Sequence, residues 1–284
     1  MRRLDYIIDS ENDGRVIQEF LHQQGVSHSL LTKLKQTENG ITKNGEFAKG
    51  IDTVSKGDTL SILITDSGNS PQKLLNSGVE VVYNDDDVLV LNKPPFMATH
   101  ESRNHRGNTL ANVAACYLDD GASFRAVYRL DRDTSGLVLI AKHELAASKL
   151  AGKVKKDYYA ICDKEITGGG SITLPIARES KSVIKRVVDG KGQRAVTHWK
   201  AIKSFNGKTL VKCNLETGKT HQIRVHFAYI YAPLVGDTLY GKPSSLINRQ
   251  ALHCKTIYFT HPVTNEEMTI DSEFPQDFKR VMEE

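Results

Sequence analysis

A charged turn, Tyr128-Arg129-Leu130-Asp131-Arg132-Asp133-Thr134-Ser135-Gly136, runs without a break into Leu137-Val138-Leu139-Ile140-Ala141. Nothing else in the chain restricts its fold as strongly. A continuous apolar run rich in Leu, Val and Ile reads as a strand buried on both faces. Thr134, Ser135 and Gly136 supply the turn chemistry that reverses the chain into it. Asp131 therefore falls on a loop mounted against a rigid strand, where reactive side chains are often carried. A surface turn with a local Arg129–Asp131 ion pair is the competing reading, and the turn alone does not choose between them.

A chain of 284 residues has room for a full core and for two domains. Hydrophobic residues at 39% and charged residues at 25% match an average globular protein. No apolar run approaches the length of a membrane span, which argues against an integral membrane protein. The opening Met1-Arg2-Arg3-Leu4-Asp5-Tyr6 has no apolar core or cleavage site behind its arginines, so it does not read as a secretion signal. The four cysteines, Cys116, Cys162, Cys213 and Cys254, form no close pair. That spacing speaks against a zinc knuckle or redox motif and fits reduced thiols in a cytoplasm. The net charge of +4 is small, but its distribution is uneven. Six basic residues, Arg178, Lys181, Lys185, Arg186, Lys191 and Arg194, stand against Glu179 and Asp189. From Glu266 onward seven acidic residues face Lys279 and Arg280. Such a separation fits a polyanion-binding face, although charge alone leaves a solvated loop open.

The first section, 1–65, reads as a small α+β unit. Val16, Ile17, Phe20 and Leu21 recur at helical spacing within 14–23. Ser27 is positioned to cap a second helix over 28–35, with Lys33 and Lys35 away from its apolar face of Leu30, Leu31 and Leu34. Asn44-Gly45 accepts the positive φ values of a tight turn, so 41–47 reads as a hairpin. A strand over 60–64 closes the unit. Two short helices followed by these turns resemble the RNA-binding domain first described in ribosomal small-subunit protein four. The resemblance implies phosphate contacts from Ser29, Lys33, Lys35 and Lys43. Gly14-Arg15-Val16-Ile17 departs from the usual Arg-Leu-Asp opening of that family.

Residues 66–78 carry Ser, Gly, Asn and Pro and read as a linker. The rest, 79–284, begins with strands over 79–83 and 88–92. The triplet Asp85-Asp86-Asp87 between them reads as a solvated turn, because three consecutive carboxylates point in different directions. Helices are expected over 109–117 and 144–154, and strands over 156–162, 174–178, 195–199 and 209–213. Gly168-Gly169-Gly170 is too short and isolated to cradle phosphates. Strands outnumber helices and come in runs, which predicts a mixed α+β fold around a large, mostly antiparallel sheet.

A second polar cluster spans Thr217-Gly218-Lys219-Thr220-His221-Gln222-Ile223-Arg224-Val225-His226. Thr220 is expected to cap a helix running past Phe227. His221 and Arg224, three apart, would then share a face. His221 and His226, five apart, are poorly spaced for a joint metal site.

Four blocks together resemble the RluA-type pseudouridine synthase family: Asn92-Lys93-Pro94, the run 129–136 with its trailing strand, Lys156-x-Tyr158-x-Ala160, and the run 218–226. In this order the match covers nearly everything from Val79 onward. The resemblance implies the synthase fold, with a largely antiparallel central sheet flanked by helices. It also implies isomerisation of uridine to pseudouridine within RNA, with no metal or organic cofactor. Asp131 falls on the catalytic aspartate, Tyr158 on the aromatic residue against the uracil, and Arg224 on the arginine that pairs with the aspartate. Arg129 falls on a residue implicated in displacing the target base. His221 and Ile223 are expected at the substrate, and Lys93, Arg132, Lys156 and the segment 178–194 at phosphates. Tyr128 stands where the family commonly has His.

These residue types suit the chemistry. Uracil must leave through N1, turn while enclosed, and rejoin the ribose through C5. A carboxylate can serve there as nucleophile or base. A free Asp has a pKa of about 3.9, and a neighbouring arginine opposes the rise that burial would cause. Extruding a base costs on the order of a few kcal/mol, which phosphate contacts offset. A catalytically inactive RNA-binding protein on the same fold is the main alternative, and retention of Asp131, Tyr158 and Arg224 together argues against it. A phosphoryl-transfer enzyme would need a metal site and phosphate loop that the sequence does not show. A scaffold or dimerisation role for the first section is the third possibility. Ribosomal RNA is favoured over transfer RNA as partner, since an appended RNA-binding domain is more usual in the family's ribosomal members. No membrane association, a cytoplasmic location and a monomer complete the expectation.

Overall fold

The computed structural model describes residues 1–284 except Ser67, Arg103, Asn104, Lys181 and Val183, so Lys181 of the basic segment lies outside the described residues. The chain opens with β1 (Arg2–Ile7), followed by α1 (Ile17–Gln23), α2 (His28–Gln36), β2 (Ile41–Lys43), β3 (Glu46–Phe47) and β4 (Thr59–Ile64). These strands form one antiparallel sheet in the order β1-β4-β2-β3. The Ser27 hydroxyl accepts the Leu30 N–H at 3.2 Å, as its capping chemistry requires. Asn44 and Gly45, at φ values of 54° and 87°, make the tight turn between β2 and β3. The apolar faces of both helices meet Leu60 and Ile62 of β4 in one core. The sequence reading missed β1, because Arg2, Arg3 and Asp5 disguise an edge strand that buries only Leu4.

Residues 66–78 hold no helix or strand among the described residues, yet they are pinned: Leu74 N–H donates to the Asn112 carbonyl at 2.9 Å. Then come β5 (Glu80–Asn84), β6 (Val88–Lys93), α3 (Leu110–Ala114) with a 3-10 turn behind it, and β7 (Ser135–Ala141). After these follow α4 (Glu144–Leu150), β8 (Lys155–Cys162), β9 (Gly169–Thr173), β10 (Ile176–Arg178), β11 (Arg186–Val188), β12 (Val196–Phe205) and β13 (Lys208–Leu215). The chain closes with α5 (Gln222–Tyr229), β14 (Leu252–Thr260), β15 (Glu267–Asp271) and α6 (Gln276–Glu283). A nine-stranded sheet runs β5-β6-β7-β14-β8-β13-β12-β9, with β15 paired to β14. Among the described residues, only the β7–β14 pair is parallel. The α+β class and the largely antiparallel sheet are therefore as expected.

All seven residues of β7 are buried, which accounts for its unbroken apolar sequence. Gly136 sits at φ 119°, and a Cβ there would lie 2.2 Å from the Cys254 carbonyl oxygen. Only glycine lets β14 come this close behind the turn that carries Asp131. One expected bound needs correction, and several elements were not anticipated. Gly169 and Gly170 belong to β9 and pair with β12. The helix expected over 144–154 ends at Leu150. β14, β15 and α6 were not anticipated.

The two sheets meet at defined contacts. Leu145 of α4 is buried in the core of the first section, and Val263 packs against that core. Arg2 donates to both carboxylate oxygens of Asp87, at 2.7 and 3.1 Å. Lys33 reaches Glu144 at 2.5 Å.

Candidate active site

The turn before β7, the middle of β8 and the start of α5 converge on one open cavity. Arg129, Asp131, Tyr158, His221, Ile223 and Arg224 all line it. Residues 93 positions apart in sequence thus share one wall.

Asp131 Oδ2 lies 3.6 Å from Arg224 Nη1 and 3.9 Å from His221 Nε2. These are ion contacts rather than short hydrogen bonds, so the oxygen keeps lone pairs available to a substrate. Arg224 makes its tight bonds elsewhere. Its Nε and Nη2 donate to the two oxygens of Asp237 at 2.7 and 2.8 Å, leaving Nη1 directed at Asp131. Burial works against that guanidinium, but Asp237 outweighs it, and the pKa is raised. Asp237 is itself 1% exposed and accepts the Leu239 and Tyr240 N–H groups. Sequence reasoning gave Asp237 no role, so the buried carboxylate that orients Arg224 was missed. An acidic residue just after a helix that presents an arginine was the available signal.

The capping expectation for α5 is also corrected. His221, not Thr220, precedes the first helical residue, at φ 58°. A left-handed conformation is uncommon for a residue other than glycine, although His is among the types that adopt it more often. It turns the imidazole back into the cavity beside Arg224. Tyr158 is 6% exposed, and burial raises its phenol well above the usual range, so it meets the cavity as a neutral ring. Tyr128 points the other way: its hydroxyl donates to the Leu137 carbonyl at 2.9 Å, beneath the strand.

Lys93 requires the largest correction. Its side chain is fully buried, so it has no access to phosphate. The ammonium donates to the carbonyls of Pro94, Met97 and Arg132 at 2.9, 2.8 and 2.9 Å. Around it, Thr99 Oγ1 donates to the Leu130 carbonyl and Arg249 Nη1 to that of Asp133. Three carbonyls of the Asp131 turn are therefore held from below. Burial, and then the Arg249 charge, push the Lys93 pKa down to about 7. In an unfolded chain a lysine stays protonated to about pH 10.4. Between those two values the unfolded chain holds the extra proton. The cost of the buried charge is thus fully present below pH 7 and is relieved as pH rises through the window. From pH 7 to 9 the wild-type protein is expected to gain on the order of 2 kcal/mol over Lys93→Met in denaturant titrations. Parallel slopes for the two proteins would contradict this.

Other expected RNA contacts divide. Arg129 is exposed at the cavity mouth, and Arg132 is half exposed beside Asp133 at 2.6 Å. Lys156 is turned inward: its ammonium donates to the Val154 carbonyl and lies 4.4 Å from the Tyr128 ring centre. Ile223, 4% exposed, offers an apolar contact. Lys33 is taken up by Glu144, whose other oxygen accepts from Ser29. Lys35 remains exposed near Gln18, and Lys43 is half-buried against the Thr53 carbonyl.

The triplet 85–87 is not a solvated turn throughout, since only Asp86 faces water. Asp85 accepts from two backbone N–H groups, Tyr83 and His261. Burial works to raise Asp87, but His143 and Arg2 outweigh it and hold the carboxyl at about 2. Asp85, Asp87 and His261 lie close enough to share an ion, yet their oxygens already serve protein donors. The cluster is structural.

Residues 87–229 match the family described as RNA pseudouridylate synthase. The chain belongs to that family. The synthase is 37% identical over 276 residues to the uncharacterized RNA pseudouridine synthase YjbO of Bacillus subtilis, covering 94% of this chain and 98% of that protein. It is 35% identical over 265 residues to ribosomal large subunit pseudouridine synthase D of Xanthomonas campestris, covering 84% of this chain and 79% of that one. Among solved structures, human RNA pseudouridylate synthase domain containing 1 superposes with a TM-score of 0.58. At 22% identity, over 70% of this chain and 84% of that chain, the likeness speaks for the fold alone.

Proposed function

We propose that the synthase converts specific uridines in structured RNA to pseudouridine, with Asp131 as the reacting carboxylate. The observation that carries this is the placing of Asp131 Oδ2 within 4 Å of both Arg224 and His221, on the wall of a cavity floored by Tyr158. Asp131 acts as nucleophile or base, Arg224 supplies the opposing charge, and Tyr158 holds the detached ring by its face. Arg129 at the mouth assists extrusion of the base, and Ile223 packs against it.

RNA tracks across the basic side of this opening. A second hollow is lined by Arg178, Arg186, Lys191 and Lys219, and it shares Gly218, Lys219 and Thr220 with the catalytic cavity. Phosphates flanking the target nucleotide lie there. Residues 1–65 serve as an RNA-binding unit through Lys35 and Lys43, joined by 66–78 to a catalytic domain over 79–284. Ribosomal RNA is the favoured substrate, in keeping with relatives named as ribosomal large subunit synthases. The enzyme works as a cytoplasmic monomer. No helix among the described residues is long and apolar enough to cross a membrane.

Pseudouridine maps of ribosomal and transfer RNA, from cells with and without the gene, test the proposal. One or a few ribosomal positions are expected to revert to uridine and to be restored by wild-type protein. Loss confined to transfer RNA overturns the substrate assignment, and identical maps overturn the activity.

A further inference from the structure

The Tyr240 hydroxyl joins three parts of the site. It accepts the backbone N–H of Arg186, the first residue of β11, at 2.9 Å. It lies 2.8 Å from His221 Nδ1. The ring stands edge-on to His221 at 5.7 Å and carries the Arg224 guanidinium 5.0 Å above its face. A backbone N–H can only donate, so the tyrosine oxygen accepts from Arg186. Among the described residues, the acceptor within reach of its own proton is then Nδ1 of His221.

With Tyr240 as the donor in that contact, the histidine's tautomer follows. Burial pushes the His221 pKa down, with Asp131 and Asp237 acting against it and Arg224 and Arg186 with it. Burial also pushes Tyr240 up. Both rings are therefore neutral at neutral pH. A neutral imidazole that accepts at Nδ1 carries its proton on Nε2. Nε2 is the nitrogen that faces the cavity, 3.9 Å from Asp131.

We propose that Tyr240 is a positioning residue that sets the His221 tautomer, so that Nε2–H is presented to the uracil beside Asp131. When the glycosidic bond breaks, its electron pair passes to the base, and negative charge spreads onto the uracil carbonyl oxygens. The Nε2–H group donates to one of them as that charge develops. The Nε2 proton stays on the histidine, while Asp131 satisfies the sugar, either by bonding C1′ as nucleophile or by taking the C2′ proton as base. Because the same hydroxyl is held by Arg186, the basic strand β11 and the catalytic histidine are linked through one oxygen. The inference rests on the active-site reading proposed above.

Long-range 15N–1H spectra of histidine-labelled protein report which ring nitrogen bears the proton, without substrate. Wild-type His221 is expected to show protonated Nε2 and acceptor Nδ1; protonated Nδ1 overturns the proposal. Tyr240→Phe keeps the ring under Arg224 and is expected to retain its melting temperature. Its kcat is expected to fall roughly 10- to 100-fold with KM within about twofold. An unchanged kcat overturns the proposal. His221→Gln supplies an amide N–H that needs no tautomer, so Tyr240→Phe added to it is expected to cost no further activity. An equal loss in both backgrounds would mean that Tyr240 acts by another route. Asp131→Asn separates the two readings: turnover surviving in that variant removes the active-site reading itself. A dead Asp131→Asn beside an unaffected Tyr240→Phe removes only the inference about Tyr240.

Discussion

Asp131→Asn is expected to lower turnover by four orders of magnitude or more, on the order of the losses seen when a nucleophile or base is removed. The same protein is expected to fold and to bind RNA with Kd within about threefold of wild type. The structure explains why the two effects separate. Among the described residues, Asp131 makes no short hydrogen bond through its carboxylate: its contacts are the 3.6 and 3.9 Å approaches of Arg224 and His221. Arg224 keeps its bidentate bond to Asp237 whatever stands at 131, so no buried cation is stranded. Loss of binding in step with activity would instead make Asp131 a binding residue. Full turnover would leave the cavity without its reacting group.

Asp237→Ala is expected to act on stability as much as on catalysis. Removing one partner from a buried ion pair costs about 3–5 kcal/mol, because the other charge is left uncompensated. Arg224 is 7% exposed and cannot swing into water to recover hydration. The turn after α5 also loses an acceptor for the Leu239 and Tyr240 N–H groups. A fall in melting temperature of roughly 10 °C follows, with kcat reduced roughly 100-fold or more in the fraction that folds. Asp237→Asn, which keeps one acceptor for the guanidinium, is expected to fall between. Thermal denaturation and single-turnover kinetics on the two variants check both effects. An Asp237→Ala protein with wild-type melting and turnover would mean that Arg224 needs no orienting partner.

The site was more legible in the sequence than the framework that holds it. Asp131, Tyr158 and Arg224 each sit in a short segment whose local pattern is distinctive, and the structure brings all three to one cavity. The strand of β7 announced itself because both of its faces are apolar. Where the reading failed, tertiary partners had overridden what a residue type usually does. Lysines are surface cations by default, and nothing in Asn92-Lys93-Pro94 foretells three carbonyls converging from separate stretches. β14 hides for the same reason. It carries His253 and Thr256, polar types that interrupt its apolar pattern, yet His253 is buried between the hydroxyls of Ser135 and Ser272. The left-handed His221 broke a sound capping rule, as residues at working sites often do.

The position of β14 has a further consequence for how the enzyme is made. Leu252–Thr260 fills the space between β7 and β8, strands completed about a hundred residues earlier in the chain. As the polypeptide emerges from the ribosome, the middle of its main sheet therefore stays open until β14, some ninety residues beyond the end of β8, has been translated. For that interval β7, the most apolar strand in the molecule, offers a bare edge to any neighbouring chain. Closure depends on contacts distant in sequence, which are slow to form. The nascent enzyme consequently has no early half-built active form: the turn bearing Asp131 gains its backing strand only once β14 has emerged.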